Sequence, residues 1–435
     1  MYLYQQLLHR ASTQNPVKVG LIGAGKFGSM FLSQVPSTPG LTVSTIADLN
    51  PSGAIDACRS VGWSEELISA TRYTDDAEQM LNHADVDVVV EATGNPIVGL
   101  KHGKLAIENG LHIVMVNVEA DVLAGAVLAE EARKASVVFS MAYGDQPALT
   151  CELVEWARSS GFQVVAAGKG TKYQPTYHHS TPDTVWEHYG LSAQQAREAG
   201  MNSQMFNSFL DGTKSALEMA AISNATGLAA PTEGLHFPPA GMDDLAHVLR
   251  PQKDGGILES SGQVEVVSSL ERDGRPVYKD LRWGVYVVVE APNDYAAACF
   301  KQYGMNTDDS GRYSAMYKPF HLIGLELNLS ILSAALLKTP TGSTQSFNAD
   351  VVATAKKNLK AGDVLDGEGG YTVWGKLYPA KISTSIGGLP IGLAHQVTLK
   401  RDIAVNQPVL WHDVDIDKTQ QAVKLRQQME STISR

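Results

Sequence analysis

Apolar residues follow two rhythms along this chain. In the first third, short and largely apolar runs recur: Val17-Lys-Val-Gly-Leu-Ile, Leu41-Thr-Val-Ser-Thr-Ile-Ala, Asp87-Val-Val-Val-Glu-Ala, Leu111-His-Ile-Val-Met-Val and Ser136-Val-Val-Phe-Ser-Met-Ala. Between them lie stretches with helical spacing, such as Val98 to Asn109 and Ala120 to Lys134. Strands that are apolar throughout are covered on both faces, so the alternation predicts an α/β domain with a Rossmann-type parallel sheet over residues 1–160. The rhythm then becomes mixed. A strand at Phe162-Gln-Val-Val-Ala-Ala-Gly, a helical run from Met201 to Asn224, a strand at Gly284-Val-Tyr-Val-Val-Val-Glu290 and an apolar helix over 320–337 predict a central α+β domain, 161–345, for substrate and oligomer contacts. Past Lys338-Thr-Pro-Thr-Gly-Ser-Thr, short strands and turns from Asp350 to Asp417 predict a small all-β domain, 346–435.

Composition narrows the partners. The 435 residues are 44% hydrophobic and 19% charged, enough apolar material for several cores. A formal charge of −11 speaks against nucleic acid or an anionic membrane as a partner and leaves a small molecule. Cys58, Cys151 and Cys299 are odd in number and far apart, which suits a reducing cytoplasm rather than a disulfide framework. Residues 1–15 lack a secretion signature, so the expected location is cytoplasmic. The 320–337 stretch carries His321, Glu326 and Asn328, as a core helix does and a membrane span does not.

The first run ends in Gly23-Ala24-Gly25-Lys26-Phe27-Gly28 and opens a helix, with Asp48 closing the next strand. In this arrangement the first glycine turns the chain and the second lets a pyrophosphate approach the backbone. The third packs helix on sheet, and the helix N-terminus faces the anion. Asp48 is placed to accept from an adenosine ribose and leans the reading toward NAD over NADP. Ligands of such sheets lie beyond the carboxyl ends of the strands, which puts Ala92-Thr93-Gly94, Asn117, Glu119, Asp145 and Gln146 on the rim.

Candidate chemistry follows in the middle of the chain. Lys169, at the expected end of a strand, and its competitor Lys172 would hold a substrate phosphate or polarise a carbonyl; the alternative is that both are solvated. His178 and His179 are adjacent and point opposite ways on an extended segment, which makes a shared metal improbable and leaves one, His178, near substrate. On a helix from Met201 to Asn224, Gln204, Asn207, Asp211, Lys214 and Glu218 fall on one stripe. It is either a solvated face or a site wall in which Asp211 orients Lys214 as proton donor to a developing alkoxide. Lys318 and His321, at the expected helix start, would face a substrate anion.

Ala355-Lys-Lys-Asn-Leu-Lys-Ala-Gly-Asp-Val-Leu and Leu399-Lys-Arg-Asp-Ile resemble the SAF domain, a compact β-clip module. The first two domains resemble homoserine dehydrogenases in layout. Where those enzymes carry Thr-Ala-Asn-Lys, this chain reads Val116-Asn-Val-Glu119, which counts against homoserine dehydrogenase activity itself. With Val116-Asn-Val-Glu-Ala-Asp121, Lys169-Gly-Thr-Lys and Asp211-Gly-Thr-Lys214, nearly the whole chain is similar to the 1-deoxy-D-xylulose 5-phosphate reductoisomerase-like enzymes. That resemblance implies NADPH, against the lean of Asp48, and a rearrangement coupled to carbonyl reduction in isoprenoid precursor synthesis. It also admits a divalent metal, Mg or Mn, with no ligand set assigned; Asp211, Glu218 and Asp145 are the carboxylates on offer. The alternatives are a dehydrogenase of another polyol, sugar acid or sugar phosphate, and, more remotely, a non-catalytic cofactor-binding or assembly protein.

Overall fold

The computed structural model describes residues 3–83 and 85–433. Two compact bodies emerge: Met1–Glu152 with His321–Gln345, and Leu153–Phe320 with Ser346–Arg435. Among the described residues no helix is long and apolar enough to cross a membrane.

In the first body, β1 (Val17–Ile22), β2 (Leu41–Ala47), β3 (Arg72–Thr74), β4 (Val88–Glu91), β5 (His112–Met115) and β6 (Phe139–Met141) form one sheet. Their order is β3-β2-β1-β4-β5-β6, and every pairing is parallel. This is the order of a dinucleotide-binding sheet, with the crevice where β1 and β4 lead away in opposite directions. Val19, Leu21, Val88, Val90 and Val114 bury their side chains with Phe31 and Leu32 of the Lys26–Gln34 helix. The returning 321–345 segment adds Leu327, Ile331 and Leu332 to the same core. It differs from expectation: turns occupy most of 319–327, and only Asn328–Leu332 is α-helical before a π-turn at Ser333–Leu337. Apolar spacing alone cannot separate a long helix from turns that bury the same leucines. Lys318 therefore ends a strand and His321 lies in a turn region; neither starts a helix.

In the second body, β7 (Gln163–Thr171), β8 (Gln263–Ser268), β9 (Val285–Glu290), β10 (Asn306–Thr307) and β11 (Tyr313–Lys318) are ordered β10-β11-β9-β7-β8. Only the β7–β8 pairing is parallel. β7 runs past its expected end at Gly168, so Lys169 lies inside the sheet, between Val266 of β8 and Val285 of β9. The expected single helix over 201–224 is two, Ser203–Leu210 and Thr213–Thr226, broken at Asp211-Gly212. Gly212 has φ +91°, a left-handed conformation that costs glycine little and turns the chain between them. β12 (Ala349–Ala355) pairs with β14 (Val373–Pro379), and β13 (Val364–Asp366), β15 (His395–Leu399) and β16 (Val414–Asp415) make a second small antiparallel sheet. These C-terminal strands belong to the same compact body as β7–β11. Arg426, 1% exposed, closes this region: its Nη1 donates to buried Asp350 at 2.9 Å, and its guanidinium lies 4.8 Å from the Phe347 ring centre.

Candidate functional site

The glycine-rich turn of the first body has the geometry a dinucleotide needs. Gly23 has φ +95°, and a Cβ there would lie 2.8 Å from Ala92 O at the end of β4. A Cβ on Gly28 would meet Gly23 O at 2.4 Å, so only glycine lets the 26–34 helix sit this close to β1. Above Gly25 a Cβ would meet nothing within 4 Å, and no side chain caps that helix. Its first-turn N–H groups are thus left for an anion to complete. The residues present fit a dinucleotide pyrophosphate.

Asp48 does more than wait for a ribose. Its Oδ2 accepts from Ala24 N at 2.8 Å and its Oδ1 from Asn50 N at 2.9 Å, which locks the half-buried carboxylate against the glycine turn. Each oxygen keeps a second lone pair for a hydroxyl. Arg59, the nearest arginine along the chain, is engaged by Glu65 and Asp56.

Other rim residues are placed less simply. Asn117 is buried and spends both ends of its amide internally: Nδ2 donates to Asn95 O at 2.9 Å and Oδ1 accepts from Ala120 N at 3.0 Å. These bonds brace the rim and leave one Nδ2 hydrogen of the amide. Thr93 donates its hydroxyl to the buried carboxylate of Glu91 at 2.5 Å. Glu119 stands half-buried in the first turn of the Val118–Lys134 helix. Asp145 Oδ1 accepts from Gln146 N at 2.9 Å, and the Gln146 amide lies 3.2 Å from His321 Nε2, so three of the expected substrate residues do converge.

In the second body, Lys169 is not solvated: it is buried and ion-paired with buried Glu218 on the 213–226 helix. Lys214, half-buried, precedes Glu218 by one turn and shares its helix face. Asp211, also fully buried, carries an ammonium that sequence reasoning missed: Lys356 Nζ, just past β12, at 2.8 Å. Lys356 further donates to Ser180 O at 2.8 Å and Gly370 O at 2.7 Å. Burial pushes the Asp211 carboxyl up, and Lys356 opposes it. One signal was available: Asp350, Val352, Thr354 and Lys356 share a face by strand period. Gln204 and Asn207 lie before the helix break and donate to the carbonyls of Asp366, Glu368 and Gly369, so the expected continuous stripe is divided.

His178 is also corrected. Its Nδ1 lies 2.7 Å from Asp211 O and its Nε2 3.0 Å from Tyr173 Oη, so the ring donates at one nitrogen and accepts at the other. Burial pushes its pKa down to about 4. A neutral histidine with both nitrogens spent is a brace, not a proton shuttle. Lys172 is likewise tied, donating to His188 O. Lys318 lies 5.5 Å from the Phe320 ring centre.

No divalent-metal set is assembled from the carboxylates on offer. Asp211 and Glu218 are each already ion-paired with a buried lysine ammonium. Among the described residues, no group of three or more His, Cys, Asp or Glu side chains is placed to hold a metal.

Residues 23–141 match the homoserine dehydrogenase NAD-binding domain family, and residues 144–327 match the catalytic domain of oxidoreductase DRL. No curated protein matches. Among solved structures, a probable dehydrogenase from Thermotoga maritima is 13% identical at a TM-score of 0.39, over 74% of this chain and 90% of that one. Myo-inositol dehydrogenase from Lactobacillus casei is 18% identical at a TM-score of 0.30, over 39% of this chain and 50% of that one. The chain spans about half the length of the inositol dehydrogenases it resembles. The matches thus give an NAD-binding domain followed by an oxidoreductase catalytic domain.

Proposed function

We propose that the protein reduces the carbonyl of a small, phosphorylated sugar, in the manner of the 1-deoxy-D-xylulose 5-phosphate reductoisomerase-like enzymes. The observation that carries the reading is the 213–226 helix. Lys214 shares a face with Glu218, and Glu218 is already neutralised by Lys169. Lys214 therefore stands one turn from a carboxylate that already has its ammonium, as the proton donor for a developing alkoxide. The nicotinamide cofactor supplies the hydride when bound; Lys214 hands its proton to the carbonyl oxygen as the C–H bond forms. The rearrangement that precedes reduction needs stabilisation of an enediolate, for which the same lysine would be the donor.

The experiment is NADPH and NADH oxidation with 1-deoxy-D-xylulose 5-phosphate, with and without added Mg or Mn, in the wild type and in Lys214→Ala. Turnover that falls by about 10²–10⁴-fold in the variant, with coenzyme affinity unchanged, is the expected result. Wild-type turnover that Lys214→Ala leaves intact removes the helix from the chemistry. The second reading, an NAD-dependent dehydrogenase of a polyol or sugar acid, is favoured by the locked Asp48 carboxylate, which repels a 2′-phosphate. Coenzyme binding without turnover of the sugar phosphate directs the search there.

A further inference from the structure

The helix that carries Lys214 and Glu218 has a second side. Gly212 and Ala216, away from that polar face, line a cavity of about 360 Å³ completed by residues of the C-terminal strands. The size falls within the range of small-molecule sites.

Its wall has a definite chemistry. Trp374 and Lys376 alternate along β14 and both line the cavity. Indole and ammonium are donors that cannot accept. The Trp374 Nε1–H is buried and has no hydrogen-bond partner among the described residues. A buried donor without an acceptor carries a desolvation cost. Aromatic rings share the rest of the wall with aliphatic and small residues. His178, uncharged and with both nitrogens occupied, stacks on Trp374 at 3.9 Å and 21°, and Phe237 stacks on Tyr173 at 4.0 Å and 12°. Among the lining residues the carboxylate is Glu233, which is exposed and has its charge in water. We propose that this cavity is a binding site, separate from the Lys169–Glu218 wall, for a small organic anion with a planar or apolar body.

The Lys376 ammonium would take the anionic group, a carboxylate or a phosphate, and the rings would cover the body. Because one helix forms a wall of the cavity and also holds Glu218 against Lys169, an occupant would sit across a helix of about 10 Å from that pair.

Isothermal titration of the full chain, with NAD at saturation so that the glycine turn is filled, tests the assignment. Phenyl phosphate and benzoate are the probes; benzyl alcohol lacks the charge and inorganic phosphate lacks the body. Saturable binding of phenyl phosphate or benzoate is expected, whichever is tighter naming the anionic group. It should exceed that of both controls and weaken about tenfold in Lys376→Met, with Trp374→Phe weaker than wild type. A wild-type melting profile of the full chain in both variants shows that they fold. Absence of saturable binding, equal affinity for benzyl alcohol, or probe affinity that Lys376→Met leaves unchanged would each overturn the proposal.

Discussion

Lys356 is the residue whose removal tests the second body most directly. Lys356→Met keeps the length and apolar volume of the side chain and deletes the ammonium. Three acceptors lose it at once: the Asp211 carboxylate at 2.8 Å, Ser180 O at 2.8 Å and Gly370 O at 2.7 Å. Breaking a buried ion pair by deleting one partner costs about 3–5 kcal/mol, because the other charge is left in low dielectric. At ~2–4 °C per kcal/mol for a domain of this size, Tm should fall by roughly 6–20 °C, read by calorimetry. The loss has a pH signature with a fixed sign. Burial already raises the Asp211 carboxyl above its ordinary range, and Lys356 holds it down. Without the lysine the folded-state pKa rises further. A raised folded pKa means stability present below the unfolded value and lost as pH climbs through the folded one. The deficit of Lys356→Met should therefore shrink on acidification from pH 8 toward pH 5. Asp211→Asn, introduced into Lys356→Met, should recover part of the loss at pH 8 and little at pH 5. A Tm within 2 °C of wild type, or a deficit that deepens in acid, would refute the reasoning.

Three further outcomes follow from the first body. Gly28→Ala places a Cβ 2.4 Å from Gly23 O; it should cost about 1–3 kcal/mol and weaken NAD binding, measured by melting with and without coenzyme. Asp48→Ser removes the charge that faces the ribose and should shift the NADH/NADPH affinity ratio toward NADPH by about tenfold, read by fluorescence titration; an unchanged ratio would remove Asp48 from coenzyme choice. Asp121 is buried on the 118–134 helix and accepts from Thr344 Oγ1 at 2.9 and 2.8 Å, and burial pushes its pKa up to about 7. The stability it contributes is complete below its unfolded value of 3.8 and drains away as pH rises to about 7. Asp121→Asn should therefore flatten the fall in Tm between pH 5 and pH 7.5, and a slope equal to wild type would show that Asp121 does not titrate there.

What the sequence could reveal divides along a physical line. The first body was legible because its requirements are local. Gly23, Gly25 and Gly28 are demanded by one turn and one helix contact, and the apolar runs around them are strands whatever packs outside. The 201–224 segment was legible as helix but not as a broken one. Helical spacing is blind to Gly212 at φ +91°, since glycine is tolerated in both conformations. The consequence was larger than one turn of geometry. The break sends Gln204 and Asn207 to the carbonyls around residues 366–369, and Asp211 to Lys356, a residue 145 positions further on. Those pairings are long-range, and no local pattern near Asp211 encodes them. His178 shows the same limit from the other direction. As a residue type in a polar loop it fits catalysis, yet two neighbours that only the fold supplies, Asp211 O and Tyr173 Oη, occupy both of its nitrogens. Lys214 and Glu218 do keep one face, because their spacing lies within one helix, while the partner of Glu218, Lys169, sits inside a strand that helical spacing does not reach.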